Sequence, residues 1–298
     1  MKPEDIQVLF PEAQRAIGAP IGPAMQEKIE ASHLQDGLWG ALAVALDFEP
    51  EPTTVEKFLA HNPYTNPQNF AERFQTLTEQ GLFEESSAGE YRITTQGHAA
   101  ANTVLDVMTE KLRETNPLPA ADIHRIADLL LRLIAAALDA PEPADKSGLV
   151  YNRHSDLGEA APPMLRVLQY LADMGTFRDD AHLNAWRKHA ISGPAWEALT
   201  LVWRGEAHHA AELVEKLPFR RWTAADYQAA LDELARRGWI EADGDQVRVT
   251  EAGQRMREAA EAETDRVYYA PWSVLSAAEL NELGEGLIRL RDQLQEVA

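Results

Sequence analysis

The sequence predicts a mainly α-helical chain with two small β-hairpins, in which one structural unit occurs twice. Self-similarity is the first reason. Leu118 to Leu133 lies over Leu275 to Leu290 without a gap, at an offset of 157 residues. The same shift puts Trp39, Ala41 and Leu42 over Trp196, Ala198 and Leu199, and Leu77, Gly81 and Phe83 over Leu234, Gly238 and Ile240. A fixed register kept over most of a repeat is the signature of duplication. Helix punctuation that recurs at matching places is the second reason, and short apolar pairs around turn residues are the third. The units are 1–145 and 146–298, divided in the proline-rich stretch Pro141 to Gly148.

Each element follows from local chemistry. In the first unit Asn66 caps a helix whose first residue is Pro67, where a missing amide hydrogen costs nothing. Phe70, Phe74 and Leu77 give that helix an apolar face, and Gly81 ends it. Leu82-Phe83 and Tyr91 to Ile93 then pair around Ser86 to Gly89, and Thr94 opens the next helix. In the second unit Ala210 to Leu217 forms a short helix that stops before Pro218. Thr223 with Asp226 makes a capping box, Tyr227, Leu231 and Leu234 share one face, and Gly238 terminates. Trp239-Ile240 and Val247 to Val249 flank the turn Asp243-Gly244-Asp245. Two terminal helices follow in each unit, over 95–114 with 120–139 and 251–267 with 277–295, the last capped by Ser276 and Glu279. Helix, turn, helix and a two-stranded wing is the winged helix order.

Composition bounds the function. The chain has 298 residues, enough for two domains, and no cysteine, which removes disulfides, thiolate metal sites and thiol nucleophiles. No apolar run is long enough to span a bilayer and the first residues do not read as a secretory leader, so a cytoplasmic address is expected. Net charge is −20, which disfavours polyanions. The nine histidines show no metal-ligand spacing, and no nucleophile, phosphate-loop or dinucleotide motif is present. Neither an enzyme, nor a cofactor, nor a metal site is expected.

Leu77-Thr-Glu-Gln-Gly-Leu-Phe-Glu84 and Leu234-Ala-Arg-Arg-Gly-Trp-Ile-Glu241, each followed by a strand ending in Ile-Thr or Val-Thr and a glycine-bearing helix start, resemble the MarR-like winged-helix regulators. The resemblance covers nearly the whole chain twice. It implies tandem winged helix units arranged as an intramolecular pseudo-dimer, with apolar stripes Ile126, Leu129, Leu130, Leu133 and Leu280, Leu283, Leu287, Leu290 at the seam. It implies transcriptional regulation by binding double-stranded DNA, with a small aromatic effector as a further partner.

In such a fold the second helix of each motif enters the major groove. The DNA-contacting candidates are Arg220, Arg221, Thr223, Tyr227 and Gln228 in the second unit and Tyr64, Thr65, Gln68, Asn69 and Arg73 in the first. The wing tips are acidic, Glu84, Glu85 and Glu90 against Glu241, Asp243 and Asp245, where carboxylates facing phosphate would weaken binding. Arg92 and Arg248 are placed to neutralise them. Trp39, Trp196, Trp203, Tyr268 and Trp272 are candidates for an effector cleft, with ordinary core filling as the competing assignment. The rival functional class is a winged helix scaffold that does not bind DNA and serves protein or small-molecule partners.

Overall fold

The computed structural model describes residues 1–244 and 246–297. It opens with α1 (Pro3–Gln7), α2 (Leu9–Gly18) and α3 (Gly22–Ala31). Next come α4 (Leu38–Phe48), α5 (Val55–His61), α6 (Pro67–Glu79), the hairpin β1 (Phe83–Ser87) and β2 (Glu90–Ile93), then α7 (Thr95–Glu114) and α8 (Ala120–Asp139). A short α9 (Ser147–Asn152) leads to the long α10 (Pro163–Arg187). The order then recurs as α11 (Gly193–Trp203), α12 (Ala210–Lys216), α13 (Ala224–Arg236), β3 (Ile240–Asp243), β4 (Gln246–Val249), α14 (Glu251–Tyr269) and α15 (Ala277–Val297). Asp245, expected in the second hairpin turn, lies outside the described residues; Gly244 before it takes φ +63°.

The caps form as their residues dictate. Asn66 accepts from the Gln68 amide, and Thr223 and Asp226 make the reciprocal box. Thr94 and Thr250 cap α7 and α14 by accepting from Gly97 and Gly253. Those two glycines are required by close approach: a Cβ on Gly97 would collide with the Leu82 carbonyl, and one on Gly253 with the Trp239 carbonyl. Both hairpins are antiparallel, with Phe83 opposite Ile93 and Ile240 opposite Val249. Arg248 pairs with Glu241 across its hairpin at 2.7 Å, whereas Arg92 donates to the Pro50 carbonyl.

Three apolar cores organise the described residues. One joins α4, α5, α6 and β1 around Leu42, Phe58, Phe74 and Phe83, and one joins α11 and α13 around Trp196, Leu199, Tyr227 and Leu234. The third is shared by the two halves and takes Phe10 from α2, Leu130 and Leu133 from α8, Met174 and Phe177 from α10, and Leu283, Leu287 and Leu290 from α15. Here α10 packs on α8 and α14, and α2 packs on α15. Along the α8–α15 contact Arg125 pairs with Glu282 at 2.8 Å, Arg132 with Glu279, and Arg289 with Asp122 at 3.2 Å. The segment after α8 is tied down, since the Lys146 ammonium donates to the Ala137 and Leu138 carbonyls and so caps that helix.

Candidate functional site

The helices expected to read bases are α6 and α13, and their packing decides what they present. Period 3.6 turns Asn69, Phe70, Phe74 and Leu77 inward and Gln68, Glu72, Gln75 and Glu79 outward. Two of the outward amides are already engaged, Gln68 with Glu72 at 3.3 Å and Gln75 with Glu79 at 2.9 Å. On α13 Gln228 likewise donates to Asp232 at 2.9 Å. Each outer face therefore carries carboxylates one turn beyond its glutamines. Held against DNA they would repel phosphate and compete for the same donors.

The segments before these helices meet each other. The Asn66 amide donates to the Arg220 carbonyl at 2.9 Å, and its side chain donates to the Arg221 carbonyl at 3.1 Å. The Trp222 indole donates to the Tyr64 carbonyl at 2.7 Å, and the Trp186 indole to the Tyr64 hydroxyl at 3.0 Å. Gly193 admits this loop, since a Cβ there would strike the Pro63 carbonyl. Arg220 sits at the centre. Its guanidinium grips Glu197 at 2.7 to 3.1 Å and donates to Asn62 at 3.0 Å and Thr65 at 3.2 Å. It also lies over the Tyr64 and Phe219 rings. Arg220 and Glu197 are 16% and 13% exposed, so little of that charge reaches solvent. Burial pushes the Glu197 carboxyl upward, opposed by Arg220.

Several sequence assignments change as a result. Tyr227 is fully buried, being the counterpart of core Phe70, and cannot face a groove. Thr65 and Asn69 are buried as well, and Tyr64 is turned into the junction. Arg220 is held by Glu197 rather than presented. Gln68, Arg221, Thr223 and Gln228 are exposed. Arg221, with φ +62°, approaches Arg73 of the other half closely enough to lower its pKa, after the larger effect of burial. Arg73 itself is half-buried over Gly37, with a buried Nε that finds no acceptor among the described residues.

The aromatic candidates do not converge on one cleft. Trp196 is buried and stacks on Trp186 at 5.6 Å, with its indole directed to His182. Trp203 lies beside it under Arg257. Tyr268 and Trp272 fill the shared core, the latter stacked on Phe10 at 5.7 Å. Trp39 packs half-buried on the first core. Large rings follow the apolar volume available, and here that volume is core.

Cavities open elsewhere. One, about 440 Å³, lies between α4, α7, α10 and the segment before α10, and is lined by Leu105, Met108 and Leu165 together with Arg166 and Asp47. Burial pushes the Asp47 carboxyl up to about 6. Two adjoining hollows of about 190 and 260 Å³ run along α10 toward the Arg220 junction and share His61, Asp179 and Leu183. Neither Asp47 nor Asp179 stood out in the sequence. The signal available was Asp180 three residues after buried Phe177, on the inward face of its helix, while Asp179 beside it is exposed. Among the described residues no cluster offers three metal-ligating side chains, and no helix is long and apolar enough to cross a membrane.

Comparison with known proteins adds one finding. The model of a helix-turn-helix family matches residues 105–297, from within α7 to the end of α15. No curated protein and no solved structure matches the chain.

Proposed function

The chain belongs to this helix-turn-helix family, and on that premise we propose a cytoplasmic, non-enzymatic regulatory protein of MarR-like type. Its units 1–145 and 146–298 form a pseudo-dimer that serves as a small-molecule-sensing scaffold and does not grip DNA in the arrangement observed. The observation that carries this reading is the junction. Arg220, the first of the two arginines before α13, is held by Glu197, Asn62 and Thr65, while the outer faces of α6 and α13 carry carboxylates. Two-fold DNA readers set their reading helices about 34 Å apart, one turn of duplex. Here the segments leading into them are hydrogen-bonded to each other.

The pairs along α8 and α15 support the pseudo-dimer. Arg125 and Glu282 are 157 positions apart, the offset of the sequence repeat, so each is the other's counterpart. Under that same shift Asp122 becomes Glu279 and Arg132 becomes Arg289, so the Arg132–Glu279 and Asp122–Arg289 pairs are two copies of one contact. That reciprocity is what an isologous interface requires. The packing of α2 on α15 mirrors that of α10 on α8.

Family membership favours a second reading, DNA-binding transcriptional regulation. In it the junction opens and exposed Arg221, Thr223, Gln68 and Gln228, with Arg73, form the contact. Mobility shifts separate the two. The scaffold reading predicts no shift of the duplex upstream of the protein's own gene, or of sheared genomic DNA, even at about 50 mM salt. A shift that weakens steeply toward about 200 mM and is lost in Arg221→Ala would establish the second reading instead.

A further inference from the structure

The two halves of the chain treat one cleft differently. In the first half it is open, as the cavity of about 440 Å³ between α4, α7 and α10 that is lined by Leu46, Leu105, Met108, Leu157 and Leu165. The repeat offset carries Leu46 onto Trp203, and alignment through Gly97 and Gly253 carries Leu105, Met108 and Thr109 onto Glu261, Thr264 and Asp265. In the second half those positions are cross-linked. Arg257 lies over the Trp203 ring and pairs with Glu261, Arg178 reaches Asp265 at 3.1 Å, and His182 meets Thr264 at 3.2 Å. Leu105 and Met108, at the matching places of the first half, cannot bridge the cleft by charge.

The α10 side carries a second departure. Leu9, Ala13 and Ala16 of α2 are buried, and at the repeat offset α10 has Arg166, Tyr170 and Asp173, also buried. Asp173 is satisfied by Arg153 at 2.8 Å, Asn152 at 2.6 Å and Gln169 at 3.0 Å. Arg166, which lines the cavity, is not. Its side chain is 5% exposed and lies over the Tyr170 ring. Its Nε donates to the Tyr170 hydroxyl and its Nη2 to Asp128, each at 3.4 Å, where charged hydrogen bonds ordinarily close to about 2.7–2.9 Å. Asp128 is itself more than half exposed, and Nη1 has no hydrogen-bond partner among the described residues. A buried guanidinium so loosely held is costly unless an anion completes it.

The acids lining the cavity are already engaged: Asp156 pairs with Arg153, Asp47 accepts from the Ser155 hydroxyl, and Glu49 meets His98 at 3.1 Å. No phenyl, phenol or indole ring is among the lining residues, so the walls suit a flexible hydrocarbon better than a stacked ring. The volume lies within the range of small-molecule sites, about 300–1,000 Å³.

We propose that this cavity binds a medium-length aliphatic carboxylate, its acid group held by Arg166 and its chain laid against Leu46, Leu105, Met108 and Leu165. Because α4 opens the first helix-turn-helix and α10 belongs to the shared core, the occupant sets how the two meet. That consequence rests on the sensing function proposed above, whereas binding itself does not.

The probe is octanoate, titrated into the full chain by calorimetry beside 1-octanol, which keeps the chain without the charge, and benzoate, which keeps the charge on a ring. Octanoate should bind about tenfold or more tightly than either. Arg166→Leu installs the residue that α2 carries at Leu9 and exchanges a buried charge for an apolar side chain, a change that proteins often tolerate. It should lower octanoate to the level of 1-octanol and leave 1-octanol unchanged. Leu46→Trp, which copies Trp203 into the open cleft, should remove both. Absence of octanoate binding, equal binding of 1-octanol or benzoate, or undiminished octanoate binding by folded Arg166→Leu or Leu46→Trp overturns the proposal. Should either variant fail to fold, the comparison of the three probes on the parent protein still decides. A DNA mobility shift would refute the scaffold reading while leaving octanoate binding intact, so the two can fail separately.

Discussion

Replacing Glu197 by glutamine tests the junction at its centre. The carboxylate receives three Arg220 contacts at 2.7 to 3.1 Å, and both side chains are more than four-fifths buried. Glutamine keeps the shape and one acceptor but leaves the guanidinium with only Asn62 and Thr65 as partners. Charged hydrogen bonds contribute about 1.5–3 kcal/mol, and removing one member of a buried pair costs about 3–5 kcal/mol. The upward shift of the Glu197 carboxyl shows that desolvation already offsets part of the attraction, which places the loss near the lower end, about 2–3 kcal/mol. Urea unfolding followed by tryptophan fluorescence measures it, because Trp186 and Trp222 border the junction. The double variant Glu197→Gln/Arg220→Gln should recover part of the loss, since the stranded cation is gone. A single-variant loss below about 0.5 kcal/mol would refute the reasoning, for Arg220 would then not depend on Glu197.

Three further outcomes follow from the same structure. Gly253→Ala should destabilise by about 1–3 kcal/mol and loosen the second hairpin from α14, read by thermal melting and amide exchange, because its Cβ meets the Trp239 carbonyl. Leu287→Ala in the shared core should cost about 2–5 kcal/mol, whereas Arg125→Ala on the exposed rim of the same contact should cost under about 1 kcal/mol, both by urea unfolding. Burial pushes the Asp180 carboxyl up to about 7, with two backbone amides opposing. The folded state thus holds a proton that the unfolded chain gives up near pH 4, so the contribution is complete below that and lost as pH rises through about 7. Parent stability should accordingly fall from pH 5 to pH 8, and Asp180→Asn should flatten that fall; an equally steep fall in the variant contradicts the assignment.

Local signals carried much of the architecture. Thr223 with Asp226, Asn66 before Pro67, and Ser276 with Glu279 mark helix starts that the structure contains, because a cap is decided by residues three apart. The apolar stripe on α8 is buried throughout, and on α15 Leu283, Leu287 and Leu290 are buried with Leu280 at the margin. Long-range placement was not legible. Tyr227 shares a face with Leu231 and Leu234 by its period, but only the packing shows that this face is turned into the core and away from any groove. Arg220 and Arg221 look alike in sequence, yet one closes on Glu197 and the other remains exposed, a division set by the left-handed turn at Arg221. Four of the five cleft aromatics, Trp39, Trp196, Tyr268 and Trp272, are divided among three different cores, which no local rule reveals. One hollow along α10 is lined by Asp179 together with His61 and Tyr64, which lie more than a hundred residues earlier in the chain.

The segments leading into α6 and α13 hold the two helices together at their starts. The absence of cysteine makes it directly measurable, because Gln68→Cys and Gln228→Cys place spin labels on the exposed faces of α6 and α13 in an otherwise thiol-free chain. Pulsed electron spin resonance should give a single narrow distance distribution that excess duplex DNA leaves unchanged. A second, longer distance that grows as DNA is added would contradict the account.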